Sequence, residues 1–431
     1  MDIKIRGGQI LSGEIIPSGS KNSVLPLISA SLLFDKPVTF TNVPDITDVT
    51  RMTEILTHLG SKISWDKPTC TLTIDNSHIS LDSINPQDIT STKGIRGTTL
   101  LWGSMLARFK QCESSEQPAG CTLGARPLDA HFQAFFDLGV TVKSENNHIF
   151  LDASAAKSGS VWLLETSPTA TENAIMLAVS LPGKTTITNC ATEPNVQDLC
   201  NFLNLCGANI IGIGSSILII DGGKPLTPVT YAVISDHYEI CTFLALGAIT
   251  GGQIKVHKAI PKHFTQINRE FAKFGIQITY DKDTAIVTAG QKPVITKTKS
   301  PMIVRAQPWP ALPVDMLPLF IPLAVASTSG QVLFHNWMYE AGLFWTAELL
   351  KFGANVTMCD PHRVLITGGN KLMGTPVDAP YIIRAAIALT MTAMISDGET
   401  LIKNADSIHR GHPNFVANLR SLGAQIEEIN G

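Results

Sequence analysis

The 431-residue sequence is short of charge: only 16% of its residues are Asp, Glu, Lys or Arg, and they sum to −3 at neutral pH. Such a balance does not suit a protein that works by neutralising a nucleic-acid backbone, and any basic surface must be local. A membrane-spanning run is also missing. The longest apolar stretch, Met316 to Ala326, holds two prolines and falls well short of the roughly 20 residues a span needs. The opening residues, Met1-Asp2-Ile3-Lys4-Ile5-Arg6, alternate apolar and polar without an apolar signal core. Eight cysteines (Cys70, Cys112, Cys121, Cys190, Cys200, Cys206, Cys241, Cys359) show no paired metal-ligand spacing, which reads as reduced thiols in a cytoplasmic protein. A hydrophobic share of 44% supplies ample core, enough for two domains.

What is present is a recurring helix end. Leu59-Gly60-Ser61-Lys62-Ile63 returns as Leu138-Gly139-Val140-Thr141-Val142, Cys206-Gly207-Ala208-Asn209-Ile210 and Phe274-Gly275-Ile276-Gln277-Ile278. It returns again as Phe352-Gly353-Ala354-Asn355-Val356 and Leu422-Gly423-Ala424-Gln425-Ile426. The glycines stand roughly 70 to 80 residues apart, too far for a solenoid and right for a compact supersecondary unit. Each closes an amphipathic helix, such as Val49 to Leu59, where glycine suits the left-handed cap. Extended runs follow at Ser61 to Trp65, Val140 to Ser144, Ala208 to Ile213 and Ile276 to Tyr280. Second runs come at Thr71 to Ile74, Ile149 to Leu151 and Ile217 to Ile220. Ahead of these lies a helix rich in Ala and Leu, as at Ser23 to Leu33, Asn173 to Ser180, Tyr238 to Ile249 and Ile383 to Ile395. A helix apolar all round belongs in the interior. The unit is therefore helix–strand–helix–strand–strand, and six of them build two similar α/β domains of three. Leu-Gly helix ends are individually common, but six in register with the same flanks are not coincidence.

Reactive side chains concentrate between Pro118 and His131, where Cys121, Arg126, Asp129 and His131 lie close in sequence. Gly120 and Gly124 let backbone approach a ligand, and Pro118 and Pro127 punctuate a loop. A thiol beside a fixed positive charge can act as nucleophile or proton donor, although a lone loop cysteine is more often inert. The Arg126 fork suits phosphate or carboxylate. Lys21 and Asn22 follow Gly19-Ser20 just before a helix, where backbone N–H groups favour an anion. Asp315 follows Pro313 ahead of another helix, where its default role is an N-cap. His409 and His412 flank Arg410 at a spacing open to metal ligation, but loop or solvent-facing histidines are the simpler reading.

Six such units in two domains, with buried inner helices, resemble the enolpyruvyl transferase family, whose fold is a two-domain inside-out α/β barrel. The resemblance runs from Ile5-Arg6-Gly7-Gly8 to Leu422-Gly423-Ala424. Its most specific pieces are Ser18-Gly19-Ser20-Lys21-Asn22 and Gly120-Cys121-Thr122-Leu123-Gly124-Ala125-Arg126-Pro127, supported by Leu312-Pro313-Val314-Asp315-Met316 and His409-Arg410-Gly411. The Cys121 loop is similar to that of the nucleotide-sugar branch rather than the shikimate branch. The resemblance implies a discontinuous catalytic domain, 1–20 plus 233–431, interrupted by an inserted domain, 21–232, that carries the Cys121 loop. It also implies transfer of the enolpyruvyl group of phosphoenolpyruvate to the 3-hydroxyl of UDP-N-acetylglucosamine with release of phosphate. That is the first committed step of peptidoglycan precursor synthesis. No metal, cofactor or obligate protein partner is implied.

Residue by residue, the same resemblance implies that Lys21 and Asn22 contact phosphoenolpyruvate, with Asn22 also near the acceptor sugar. Cys121 matches a mobile-loop proton donor that can form a covalent adduct with phosphoenolpyruvate and reacts with fosfomycin-type epoxides. Arg126, Pro127, Leu128, Asp129 and Ala130 match the stretch that binds the nucleotide sugar, and Arg96 an arginine on the nucleotide side. Asp315 matches the carboxylate proposed to take the proton of the sugar hydroxyl. Arg384 and Arg410 match basic residues that close over phosphoenolpyruvate, and Met338 a backbone contact to the sugar. Closure of the domains over both substrates is the implied dynamic step. Some positions depart from the pattern. Glu165-Thr166-Ser167-Pro168-Thr169-Ala170-Thr171 replaces a segment that usually reads Ser-Val-Gly-Ala-Thr, with Glu165 where a basic side chain is common. Gly342 replaces an active-site arginine, Ile382 an aspartate and His237 an arginine. These changes keep two alternatives open: enolpyruvyl transfer to another uridine nucleotide in specialised metabolism, and a non-catalytic nucleotide-binding paralogue.

Overall fold

The computed structural model describes residues 1–79, 96–115, 127–145, 148–295 and 300–429. It divides into two compact units, Met1–Ser18 with Ser235–Gly431 and Gly19–Gly120 with Pro127–Ile234. Each has its own continuous apolar core.

The first unit holds three four-stranded sheets. In order across each sheet they are Gly13–Ile15, Ile254–Val256, Thr284–Val287 and Ile278–Asp281; Met302–Arg305, Gln331–His335, Arg363–Thr367 and Asn355–Asp360; and Pro376–Asp378, Glu399–Lys403, Asp2–Arg6 and Gln425–Ile429. In every one the first pair is parallel and the remaining pairs are antiparallel. Two sheets of the second unit repeat the pattern: Thr230–Ala232, Val38–Thr41, Thr71–Asp75 and Lys62–Asp66, then Ser160–Trp162, Gly183–Thr188, Ile217–Gly222 and Ile210–Ile211. Its third sheet, among the described residues, is Gln111–Ser115, His148–Asp152 and Thr141–Glu145.

A parallel pair needs a crossover, and here it is a buried helix. Helices Leu317–Ala326 and Ile383–Met394 link the parallel strands of their sheets, and His237–Thr250 leads into Ile254–Val256. The three pack on one another inside the first unit. Ile383–Met394 is buried along its whole length, and His237–Thr250 is buried except at its last residue. Helices Lys21–Ala30, Leu101–Phe109 and Pro168–Ala178 fill the second unit in the same way. Helices inside and sheets outside make each unit the expected inside-out barrel, three repeats apiece. The Met316–Ala326 stretch is one of these inner helices. Pro318 is tolerated in its first turn, where no N–H is needed. No helix among the described residues is long and apolar enough to cross a membrane.

The six recurrent glycines all take the left-handed conformation, with φ from 73° at Gly275 to 107° at Gly207. In each case the N–H of the residue after the glycine reaches back to the carbonyl five positions earlier: Ser61 to Leu56, Val140 to Phe135, Ala208 to Leu203, Ile276 to Phe271, Ala354 to Leu349 and Ala424 to Leu419. The repeat seen in sequence is thus one helix-terminating motif made six times. Two features differ from expectation. Each complete unit begins with an additional short parallel strand, and the helix before Gly353 is a 3-10 helix, Phe344–Phe352.

Candidate active site

In the second unit Lys21 opens its buried helix. Ser20, in the cap position, makes no side-chain capping bond, and its buried hydroxyl has no hydrogen-bond partner. The helix N-terminus therefore keeps N–H groups available for an anion. Lys21 is not a solvated surface lysine: its ammonium lies 2.5 Å from Asp48 Oδ2, with side chains 13% and 3% exposed. Asn22 is half-buried beside it. Pro127 and Asp129 are exposed, Leu128 is half-buried and Ala130 is buried, all at the head of helix Asp129–Asp137. The backbone of Arg96 starts the 3-10 turn Arg96–Leu100. Cys121, Arg126 and the Arg96 side chain lie outside the described residues. Glu165 is exposed ahead of helix Pro168–Ala178, and the Ser167 hydroxyl caps that helix by accepting from Ala170 N at 3.4 Å.

In the first unit the cluster is built around Arg384, in the first turn of its helix and 7% exposed. Its Nη1 donates to His412 Nε2, its Nη2 lies 4.0 Å from Asp236 Oδ2, and its guanidinium covers the Tyr238 ring at 4.7 Å. Asp236 is also a helix cap, its Oδ1 accepting from Tyr238 N at 2.7 Å and Glu239 N at 3.1 Å. Glu239 is fully buried and accepts from Ser18 N at 3.0 Å, from the Ser18 hydroxyl, and from Asn418 Nδ2 at 3.5 Å. Burial, assisted by Asp236, pushes its carboxyl up to about 7, against the bond from Ser18 and the charge of Arg384. Burial likewise drives His237 down to about 3, with His263 and Arg384 adding repulsion. Arg410 is buried at the end of turn Ala405–Arg410, which packs against the Arg384 helix, and its guanidinium stands 5.1 Å from the Tyr381 ring.

Asp315 is half-buried in the 3-10 turn Val314–Met316, which packs on helix His237–Thr250. The cap position of the following helix belongs to Met316, so the N-cap reading of Asp315 does not hold. Its carboxylate is not spent on its own helix. The preceding residues, Pro308 to Ala311, wall a cleft of about 450 Å³ with Lys262, His263 and Arg269. Met338 is half-buried, and its N–H is already taken by Asn336 Oδ1 at 3.2 Å. At Gly342 a Cβ would meet Asn336 Nδ2 at 2.2 Å, so a side chain enters only if the Asn336 amide moves. His412 is not solvent-facing but fully buried against Arg384, where burial first and Arg384 second hold it well below the usual histidine range. No group of three or more potential metal ligands occurs among the described residues.

Sequence reasoning missed Asp48, Asp236, Glu239 and Tyr238, and read the buried His412 as a loop or solvent-facing histidine. Asp236 and Glu239 carried a usable signal, an acid three residues before another acid at the start of an apolar run. The others find their partners far along the chain, where no local pattern marks them.

A profile of the EPSP synthase family (3-phosphoshikimate 1-carboxyvinyltransferase) matches residues 5–419. The chain belongs to the EPSP synthase family. Within it, the chain is 36% identical over 428 residues to a UDP-N-acetylglucosamine 1-carboxyvinyltransferase of Borreliella burgdorferi, covering 99% of this chain and 98% of that one. A protein of the same name from Bacteroides thetaiotaomicron is 35% identical over 438 residues, 99% of either chain. Among solved structures, the enolpyruvyl transferase NikO from Streptomyces tendae superposes with a TM-score of 0.84 at 21% identity, covering 99% of this chain and 98% of that one. An EPSP synthase from Acinetobacter baumannii gives 0.71 at 16% identity, covering 99% and 100%. The fold is the enolpyruvyl transferase fold, and a member of the EPSP synthase family is a transferase.

Proposed function

We propose that the chain transfers the enolpyruvyl group of phosphoenolpyruvate to the 3-hydroxyl of UDP-N-acetylglucosamine and releases phosphate, starting peptidoglycan precursor synthesis in the cytoplasm. The observation that carries this reading is identity of 36% over nearly the full length of relatives bearing that name. The reaction adds the hydroxyl O–H across the vinyl bond, oxygen to the phosphate-bearing carbon and a proton to the terminal carbon, and then expels phosphate as the terminal carbon gives up a proton and the double bond re-forms. It needs cations for phosphate and carboxylate, a proton for the terminal enol carbon, and a base for the hydroxyl. Lys21 with the open helix terminus behind Ser20, Arg126, Arg384 and Arg410 are assigned to the anionic groups of phosphoenolpyruvate. Cys121 is assigned to protonate the enol carbon and Asp315 to take the hydroxyl proton. Asn22, Arg96, Pro127, Leu128, Asp129, Ala130 and Met338 are assigned to the acceptor; at Met338 the contact falls to the carbonyl, since the N–H is engaged by Asn336.

A second reading, transfer to a different uridine nucleotide, is favoured by one specific observation: at position 342 the Asn336 amide occupies the space a side chain would enter, so a cation there requires that amide to move. Glu165, exposed ahead of helix Pro168–Ala178 where the family commonly has a basic side chain, points the same way, because a carboxylate there would repel a diphosphate. Phosphate release from phosphoenolpyruvate, measured with UDP-N-acetylglucosamine, UDP-glucose or UMP beside a Cys121→Ala control, tests both. Release that depends on UDP-N-acetylglucosamine and is lost in the control supports the first. Release only with another nucleotide overturns the acceptor assignment, and ligand-dependent thermal stabilisation without release overturns catalysis.

A further inference from the structure

Two segments of the second unit assigned to the acceptor, and the helix head that follows Glu165, are joined by one chain of largely buried hydrogen bonds. Asn173 is fully buried in helix Pro168–Ala178. Its Oδ1 accepts from Gly103 N at 2.7 Å, which fixes the amide orientation. Its Nδ2 therefore donates, to Thr99 O at 2.8 Å and to His131 Nδ1 at 3.0 Å. Because Nδ1 accepts, the ring proton of His131 sits on Nε2 and is given to Thr169 Oγ1 at 3.1 Å. His131 is 2% exposed, with Trp102 edge-on at 5.7 Å. Gly103 is part of the device: a Cβ there would lie 2.4 Å from Asn173 O.

Each arm of this chain reaches one of these three segments. Thr99 lies in the same 3-10 turn as Arg96. His131 follows Pro127 to Ala130 in the first turn of its helix. Thr169 stands at the head of the helix that follows Glu165 and Ser167. We propose that His131 and Asn173 are positioning residues of the acceptor subsite, holding these three segments in the one arrangement that fits the nucleotide. The inference rests on the reading given under Proposed function. It adds that two side chains outside the assigned contacts set acceptor affinity, and that they act through Arg96, the Pro127–Ala130 stretch and the Thr169 helix head.

The test is His131→Phe, which keeps ring volume and the Trp102 contact while deleting both bonds, beside Asn173→Ala. The expected result is a roughly tenfold rise in KM for UDP-N-acetylglucosamine with KM for phosphoenolpyruvate nearly unchanged, and equally weakened UDP binding by calorimetry. His131→Asn, whose amide oxygen can replace Nδ1 as acceptor, should recover part of the loss. It also serves as the deciding variant if His131→Phe does not fold. Both KM values rising together, or neither moving, in a protein of wild-type melting temperature overturns the inference. If wild type binds UDP but releases no phosphate, the functional reading fails while the calorimetric comparison still decides this one. If wild type binds no UDP, both fall.

Discussion

Glu239→Gln isolates one buried charge. In the folded chain this carboxyl titrates near 7 rather than 4.5, chiefly because it is removed from water. Between those two values the folded state keeps a proton that the unfolded chain has released, so stability must fall as pH rises from about 5 to about 7 and level off above. A displacement of that size amounts to about 3 kcal/mol at pH 8. Glutamine preserves the geometry without the charge. Its amide oxygen can accept from Ser18, and its NH₂ can face Asn418 once that amide rotates. At pH 5 the variant should match wild type to within about 1 kcal/mol, the worth of one altered hydrogen bond. By pH 8 its relative stability should have risen by about 3 kcal/mol. The assay is urea unfolding of both proteins at half-unit steps from pH 5 to pH 8, taken as a difference. Subtraction removes the groups common to both, including Asp198, which burial raises to about 6, and His237, which burial lowers to about 3. A flat difference curve would falsify the account of Glu239 as a carboxyl forced to ionise in the core.

Three further perturbations bear on the site. Lys21→Met takes the ammonium from a carboxylate that is 3% exposed and should cost about 3 kcal/mol or more. Adding Asp48→Asn should restore much of it in thermal melts, and an additive double variant would count against the pair. Gly342→Arg drives a Cβ into Asn336 and should lower stability by about 1–3 kcal/mol with no gain in turnover; an unchanged melting temperature would mean the turn yields freely. Both substrates together should protect Cys121 from alkylation, measured in a Cys70→Ser/Cys359→Ser background because Cys359 is exposed and Cys70 half-buried while Cys112, Cys190, Cys200, Cys206 and Cys241 are buried. Equal labelling rates with and without substrates would detach Cys121 from the substrates.

The architecture was legible because its punctuation is local. A Gly held at positive φ, an apolar residue before it and a β run after it sit within a few positions, and six copies expose the period. The leading strands escaped for two physical reasons. Gly13–Ile15, Ser160–Trp162 and Thr230–Ala232 are three residues each, too short for alternation to register. Gly13–Ile15 and Thr230–Ala232 are also separated from their helices by the other unit or by their own. Motif marked Lys21, Arg384, Arg410 and Asp315 as candidates, but not what surrounds them. The site was illegible where buried side chains meet across the chain, as Asn173 meets His131 and Arg384 meets His412. The N-cap expectation for Asp315 failed because the chain makes a 3-10 turn before its helix, displacing the cap by one residue.

The sheet that closes the first unit has a consequence for how this protein is made. Strand Asp2–Arg6 lies in its middle, paired on one side with Glu399–Lys403 and on the other with Gln425–Ile429. A ribosome delivers the central strand well before either neighbour, with the whole of the other unit made in between. The 19–234 unit holds its own core and can fold while synthesis continues. Strand Asp2–Arg6 must wait with both edges unpaired until Glu399–Lys403 and Gln425–Ile429 emerge, which is the interval in which a chaperone, or an aggregate, would find it.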